Sequence, residues 1–592
     1  MSFVHLNPVG FENVRISDAF WSRRIQTIRD VTAWVCIDEC EKTHRIDNFR
    51  RAAGLQEGGH EGIFFNDSDV YKVLEGAAYV LMGGADPKLE ARVDEIIDAI
   101  CAAQQEDGYL YTYYTLNTPE KRWTDMNHHE AYCLGHMIEG ALAYVQATGK
   151  DKWLKAACRA VDQMMRVNGP DGQHWVTGHQ EIELALVKLY RYTGEQKYLD
   201  YAMWLVEERG HGHLRSESLK HLMYRNTDYC QDDRPVRELE RVTGHAVRAM
   251  YYYSAVTDLA AILGDESLDK AMCRVWGNVV PANLYLTGGI GQSAHNEGFT
   301  RDWSLPNLTA YCETCAAIGM AMWNQRMNFT HGESKYADLV ERELYNGVLA
   351  GISLSGDKFF YDNPLSSAGN YHRSQWFGCS CCPTNLIRFI PSVGGYVYAT
   401  SGDVIYLNQF VQSEATVPTA SGAVEIAVET RYPWEGAVAV RIARCEGERV
   451  LKVRRPGWCR QAKLTCGGVE AEVGEDGYYA VKVREGDSIC YEMDMPVERV
   501  YADARVAEDR GRVAVMRGPV VYCAEETDNP GLVSEYFHAE KALPKSTELT
   551  AQFEPELLNG VTTISGDGVR LVPYYAWDNR EPGAMAVWMK EI

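Results

Sequence analysis

Two short stretches of this chain concentrate soft metal ligands. Gly378-Cys379-Ser380-Cys381-Cys382-Pro383 carries three cysteines, and Tyr311-Cys312-Glu313-Thr314-Cys315 carries a Glu-x-Cys pair. Zinc accepts thiolate, imidazole and carboxylate ligands in a tetrahedron. Glu313, Cys315, Cys381 and Cys382 supply four such ligands from two segments and leave Cys379 beside them. The softness of the set argues for Zn2+ over magnesium or calcium. Adjacent cysteines and a Glu-x-Cys pair are not zinc-finger spacing. On the residues alone, three readings stand: a structural zinc, a zinc site with a reactive thiol, and plain buried cysteines.

A reactive thiol needs a lowered pKa, and both a metal and a helix N-terminus at Pro383 favour thiolate. It also needs an acid to protonate a leaving group. Leu286-Thr287-Gly288-Gly289-Ile290-Gly291-Gln292-Ser293-Ala294-His295-Asn296-Glu297 is a glycine-rich loop ending in a carboxylate. No strand-to-helix fingerprint or P-loop lysine makes it a phosphate cradle, and Glu297 taken alone reads as a solvated surface residue. Of the adjacent pair His128 and His129, only one faces inward. His129 and His136 lie two helical turns apart and read equally as core histidines. His179 and His245 each follow a glycine at a predicted helix start, where an N-cap is the plain alternative. Tyr361, in Phe359-Phe360-Tyr361-Asp362-Asn363-Pro364, could serve packing alone.

These residues must be positioned by helices, because apolar residues recur at helical spacing through the first 400 residues. The segments lie near 20–41, 67–83, 88–105, 129–147, 151–167, 179–193, 196–208, 238–263, 266–282, 308–328, 334–350 and 383–396. Gly149-Lys150-Asp151 and Thr193-Gly194-Glu195 punctuate them. Twelve helices in consecutive pairs are what an (α/α)6 barrel requires. A helical solenoid is the rival, but no fixed-period repeat is found. Loops at 106–128, 209–237, 283–307 and 351–382 would gather at one mouth of such a barrel. After Thr400 the pattern alternates, as in Val424-Glu425-Ile426-Ala427-Val428-Glu429, which predicts β-sandwich strands. The expected organisation is therefore mainly α with β. It places an (α/α)6 barrel at 1–399, a β-sandwich at 400–500 and a second β-rich domain at 501–592. The last strand, near 584–590, is expected to return to the first sandwich.

Composition narrows the partners. A net charge of −23, from 59 Lys plus Arg against 82 Asp plus Glu, repels nucleic acid, and no basic run tracks phosphates. No run of 18 apolar residues predicts a membrane span. The 14 Trp and 35 Tyr suit sugars as well as cores. Seventeen cysteines without an export signal read as reduced thiols in a cytoplasmic protein. A homodimer is compatible with the sequence, which is otherwise silent on oligomeric state.

The chain resembles glycoside hydrolase family 127, the retaining β-L-arabinofuranosidases. The likeness rests on Arg45 with Asn48-Phe49, Asp67-Ser68-Asp69-Val70-Tyr71-Lys72, Asn127 to His136 and Thr287-Gly288-Gly289-Ile290-Gly291. Glu313-Thr314-Cys315, Cys379-Ser380-Cys381-Cys382-Pro383 and Arg517-Gly518-Pro519-Val520-Val521-Tyr522 extend it. The resemblance implies a zinc held by Glu313, Cys315, Cys381 and Cys382, with Cys381 as glycosyl-accepting nucleophile and Glu297 as acid/base. It implies sugar hydroxyls held by His129, His179, His245 and Tyr361, and a small glycoside or oligosaccharide of L-arabinofuranose or a similar plant sugar as substrate. One departure stands out: Thr32-Ala33-Trp34-Val35-Cys36 has Cys36 where the family pattern has a glutamine reaching the sugar. That change is expected to reshape the far end of the pocket. Two competing functions are another (α/α)6 carbohydrate enzyme, an epimerase or lyase, and a non-catalytic carbohydrate binder with structural zinc.

Overall fold

Helical periodicity in the first 400 residues resolves into two kinds of helix. The computed structural model describes residues 3–220, 227–532 and 542–592. The stretches 221–226, within the expected loop 209–237, and 533–541, within an irregular polar tract, lie outside the described residues. One kind of helix is amphipathic. Lys152–Val167 buries Trp153, Leu154, Ala157, Val161 and Met164 along a single stripe, and Pro87–Ala102 does the same with Leu89, Val93, Ile96 and Ile100. The other kind is buried all round: every residue from Ala246 to Ala260 is inside in Ala246–Leu263.

The helices buried on all sides over most of their length are Asn66–Met82, Glu130–Thr148, Ile182–Thr193, Ala246–Leu263, Thr314–His331 and Cys381–Phe389. Each packs on the next, and the sixth packs back on the first, closing a ring. Five amphipathic helices, Pro87–Ala102, Lys152–Val167, Gln196–Glu208, Glu266–Ala282 and Ser334–Arg342, each follow and cover one inner helix. The sixth outer position is filled from the start of the chain by Ala33–Lys42, which packs on both Asn66–Met82 and Cys381–Phe389. This is the (α/α)6 arrangement. Where inner helices touch most closely the residue is glycine: a Cβ on Gly76 would stand 2.7 Å from the Ile387 carbonyl oxygen. Polar groups on the ring axis are paired, Arg388 with Glu75 at 3.0 Å and with Glu139.

Several boundaries differ from the periodicity reading. Residues 308–313 form a turn and an irregular stretch, and the fifth inner helix begins at Thr314. The predicted helix at 20–41 is interrupted by a π-helical segment, Ile28–Thr32. A short helix, Arg45–Ala52, lies outside the predicted segments, its apolar face reduced to Ile46, Phe49 and Ala52.

Beyond the barrel, a five-stranded and a seven-stranded sheet contribute to one apolar core. Inward residues alternate as expected, as in Ser488–Met493, where Ile489, Tyr491 and Met493 are buried. The N-terminal segment adds an edge strand to each sheet: Asn7–Pro8 pairs with Tyr398–Ser401, and Val14–Ile16 with Ser413–Thr419. A ten-stranded sheet follows. The last strand, Met589–Glu591, does not return to the first sandwich. It pairs with Arg512–Arg517 in this third sheet. Just before it, Met585–Ala586 pairs with Ser366–Ser367 from a barrel loop.

A buried charge ties barrel to sandwich. Arg454 is fully buried and bonds Glu341 at 2.5 Å and also Asp338, both on the outer helix Ser334–Arg342. Tyr432 and Trp458 donate to the same Glu341 carboxylate, at 2.5 Å and 3.0 Å. Removing one partner of such a set leaves the other charge buried and uncompensated, which costs about 3–5 kcal/mol. Arg454→Met is therefore expected to lower the unfolding free energy by about that amount in urea titration. An unchanged midpoint would show that the junction does not depend on this cluster.

Candidate active site and metal centre

The six inner helices point their N-termini at one cavity of about 390 Å³, within the range of small-molecule pockets. Phe65, His129, His245 and Glu313 are the residues at the N-cap positions of four of these helices, and all four line the cavity. Cys381 opens a fifth, and His179 lies three residues before the sixth, Ile182–Thr193. Helix N-termini carry partial positive charge and unpaired N–H groups, so the cavity is built to hold anions and acceptors.

The soft donors meet on one wall. Glu313 Oε1 lies 3.4 Å from Cys381 Sγ and 3.7 Å from Cys382 Sγ. Cys315 and Cys382 sulfurs are 3.4 Å apart, and those of Cys381 and Cys382 are 3.9 Å apart. All four ligand atoms fall within 4.8 Å of one another. A tetrahedron with metal–sulfur bonds of about 2.3 Å sets sulfur–sulfur separations of roughly 3.8 Å and sulfur–oxygen separations of roughly 3.6 Å. The donor set fits such an ion. Burial pushes the Glu313 carboxyl and the Cys382 thiol well above their usual ranges, and neighbouring thiols add to both shifts. Four buried acidic groups this close ionise together only with a cation among them. Cys379 stands outside the set, 3.8 Å from Cys381 Sγ.

Behind this wall is a fixed positive charge. Lys72 is fully buried on the first inner helix, 3.3 Å from the Tyr132 hydroxyl and 3.6 Å from Asp69 Oδ1. Arg45 holds the other Asp69 oxygen at 3.1 Å and reaches Gly378 O at 2.8 Å and Ser380 Oγ at 3.2 Å, fixing the cysteine loop. Two cations against one carboxylate leave a buried surplus of positive charge. Four ionised donors around a divalent ion leave the opposite surplus.

The histidines form a row on the opposite side. The centroids of His129 and His179, and of His179 and His245, are each 5.5 Å apart. His129 Nδ1 donates to the Asn127 carbonyl, and His179 Nδ1 to the Gln180 carbonyl at 2.8 Å. In these neutral rings Nε2 is therefore an acceptor. Burial, then Arg248, holds both rings well below the usual imidazole range. His245 has the opposite tautomer: its Nδ1 accepts from Val247 N at 3.1 Å, capping the helix, so Nε2–H faces outward. That Nε2 lies 3.7 Å from Glu297 Oε2.

Glu297 is half-buried in the cavity wall, with a left-handed backbone. Its carbonyl accepts from Ala246 N at 3.0 Å, and Gly298 beside it packs on Gly244, where a Cβ would stand 1.9 Å from the carbonyl oxygen. The Tyr229 phenol donates to the Glu297 carboxylate. The Tyr361 hydroxyl lies 3.2 Å from Cys381 Sγ and 3.7 Å from Cys379 Sγ, between the two thiols. Asp362, next in sequence, is pushed up to about 7 by burial and then by the charge of Glu297.

Every residue singled out for the site in the sequence except Cys382 lines this cavity, and Cys382 lies just behind Cys381. Two neighbours do not. His128 bonds the Tyr114 hydroxyl at 2.5 Å, and His136 is buried below, 3.2 Å from Glu181 Oε1. Trp34 and Cys36 do not line the cavity either. Cys36 is fully buried, and Lys88 sits over the Trp34 ring, so the pocket wall is not theirs to reshape. Ile63, Phe64 and Phe65 line the cavity, with Phe65 stacked on His129 at 4.6 Å. Tyr229, Arg248 and Tyr132 were not anticipated. For Arg248 a signal existed: it is the lone cation in a mostly apolar helix. Tyr229 stands in a single 3-10 turn, Thr227–Cys230, too short for any periodicity to mark it.

With that geometry, residues 13–395 match the family model described as β-L-arabinofuranosidase, GH127 catalytic domain. Residues 404–495 match the GH127 middle domain, and 497–590 the glycoside hydrolase family 127 C-terminal domain. A non-reducing end β-L-arabinofuranosidase of Bifidobacterium longum is 37% identical, the alignment covering 98% of this chain and all of that protein. A solved GH127 β-L-arabinofuranosidase from Geobacillus stearothermophilus T6 superposes with a TM-score of 0.93 at 40% identity, covering 98% of this chain and 100% of that one. A second solved structure, titled a GH127 β-arabinofuranosidase, gives 0.92 at 40% identity, over 99% and 98%.

The purified chain is expected to keep one divalent metal ion through exhaustive dialysis. Cys315→Ala/Cys382→Ala should lose it, and Lys72→Met should release it to a chelator markedly faster than wild type. Elemental analysis after timed chelation checks both. Full retention in the double cysteine variant would remove these thiols from the ligand set.

Proposed function

The chain belongs to glycoside hydrolase family 127, and on that premise we propose that it is a retaining exo-glycosidase. It would release β-linked L-arabinofuranose from the non-reducing ends of plant-derived oligosaccharides or glycosides. The carrying observation is that, of the three thiols in the donor set, only Cys381 keeps part of its surface open, beside Tyr361 and in the same cavity as Glu297. The relatives described as β-L-arabinofuranosidases support the choice of sugar. The family match sets aside an epimerase, a lyase and a non-catalytic binder.

Glu313, Cys315, Cys381 and Cys382 would hold zinc. When bound, it supplies a positive charge that keeps the thiols ionised near neutral pH without a general base. The chain's own residues do the rest. His129 and His179, as acceptors, and the His245 N–H orient sugar hydroxyls against the cavity wall, with Tyr361 beside the nucleophile. Cys381 sulfur attacks the anomeric carbon as Glu297 protonates the departing glycosidic oxygen. The sulfur–carbon bond forms as the carbon–oxygen bond breaks. Glu297, now ionised, takes a proton from water, which attacks the same carbon and expels the thiolate. Two inversions at that carbon retain its configuration. Tyr229 holds the Glu297 carboxylate in place for both steps.

General acid catalysis of this kind contributes about 10²–10⁴-fold. Glu297→Ala is therefore expected to lower kcat/KM by that order on an alkyl β-L-arabinofuranoside, and far less on an aryl glycoside whose leaving group needs no proton. Steady-state kinetics on the two substrates check this. Equal losses on both would mean that Glu297 is not the acid.

A further inference from the structure

Outside the lining of the catalytic cavity, three ligand-type side chains from two stretches of the chain converge on a single point. His174 lies in the loop between the outer helix Lys152–Val167 and the inner helix Ile182–Thr193. Glu208 is the last residue of the outer helix Gln196–Glu208, and His213 lies in the loop that follows it. His174 Nδ1 is 2.8 Å and His213 Nε2 is 3.1 Å from the same carboxylate oxygen, Oε2 of Glu208. The two rings are 5.4 Å apart, and one ligand atom from each of the three residues falls within 4.8 Å of the others.

The electrostatics of this spot call for a cation. A helix C-terminus carries partial negative charge, which disfavours carboxylates there. Gln196–Glu208 nevertheless ends in Glu207-Glu208, with no basic residue in its last turn. Glu207 is answered by Arg237 at 2.6 Å. Glu208 is not: among the described residues its ion-pair partners are the two histidines, which carry charge only when protonated.

We propose that His174, Glu208 and His213 form a second metal site, distinct from the cysteine centre, for a divalent transition ion of borderline softness such as Zn2+ or Ni2+. Two imidazoles and one carboxylate suit such ions, whereas calcium takes six to eight oxygens. Donor separations near 3 Å are close to the roughly 3.3 Å of a tetrahedral N/O set with bonds of about 2.0–2.1 Å. The His174 side chain is 51% exposed and that of His213 28%, so the ion enters from solvent and keeps water on its open positions.

Its place suggests its use. His174 stands five residues before His179 in the same loop, and His213 stands in the segment that leads to Tyr229. Arg209, next to Glu208, already joins these loops from inside, bonding Thr177 O at 2.8 Å and Cys230 O at 2.7 Å. An ion held by the three side chains would clip the same two loops together from outside and stiffen the wall that carries His179 and Tyr229.

The test uses the holoenzyme without a polyhistidine tag, dialysed so that only its tightly held metal remains. Calorimetric titration with Ni2+, and separately with Zn2+, should show one further equivalent bound and a raised unfolding temperature. Neither effect should appear with Mg2+ or Ca2+. His174→Ala/His213→Ala should weaken that binding at least tenfold, abolish the thermal shift and leave metal-free-buffer activity and the tightly held metal unchanged. Glu208→Gln should weaken it to a lesser degree. No further equivalent in the wild type, or equal binding by the double histidine variant, would overturn the proposal.

Discussion

Everything in this molecule's active region follows from one electrostatic constraint: several acidic groups have to be held ionised inside a protein. The ring of six inner helices meets that constraint before any ligand is considered, because all six direct their N-termini at the same cavity. Anions next to such ends are stabilised by the aligned peptide dipoles and by N–H groups that have no intrahelical acceptor. The barrel is thus more than a scaffold. Its closure, made by Ala33–Lys42 and Cys381–Phe389 packing on the first inner helix, brings the cysteine loop to the place where those six ends converge.

The remaining charge is balanced residue by residue. Arg45 and Lys72 share Asp69 behind the cysteine loop, while Arg388 gathers Glu75 and Glu139 deeper along the axis. His129 and His179 are kept neutral by burial and by Arg248 and present acceptors, while His245 presents one N–H, the groups that sugar hydroxyls pair with. On the proposed mechanism, one wall holds charge and does the bond-breaking chemistry. On the same proposal, the neutral histidines of the facing wall recognise hydroxyls, with Arg248 beside them. Glu297 sits at their junction, tied by its own carbonyl to the start of an inner helix and by its carboxylate to Tyr229.

Much of this was legible in the chain. Apolar residues at helical spacing and the glycines at 149 and 194 marked the helices, since a buried stripe and a left-handed C-cap leave direct traces. The donors Glu313, Cys315, Cys381 and Cys382 were legible because acidic soft ligands cluster in few contexts. What escaped is non-local. Nothing around Asn7–Pro8 announces that it will pair with Tyr398–Ser401, nearly 400 residues on, nor does the last strand announce that it will pair with Arg512–Arg517 rather than with the sandwich. Tyr229 reaches Glu297 across 68 residues from a turn too short to show a period. Cys36 is the reverse case. Its position in the family pattern pointed to the pocket, yet the side chain packs behind it.

The central claim is that the Cys381 sulfur, and not only its metal-binding capacity, takes part in the reaction. The most direct measurement is the intact and peptide mass of the Glu297→Ala protein after brief incubation with an activated aryl β-L-arabinofuranoside. Without its acid/base the protein should complete the first displacement and stall at the second. The account predicts one anhydropentose mass on the peptide containing Cys381, absent when Cys381→Ser is combined with Glu297→Ala. Released leaving group with no adduct, or an adduct on another residue, would contradict it.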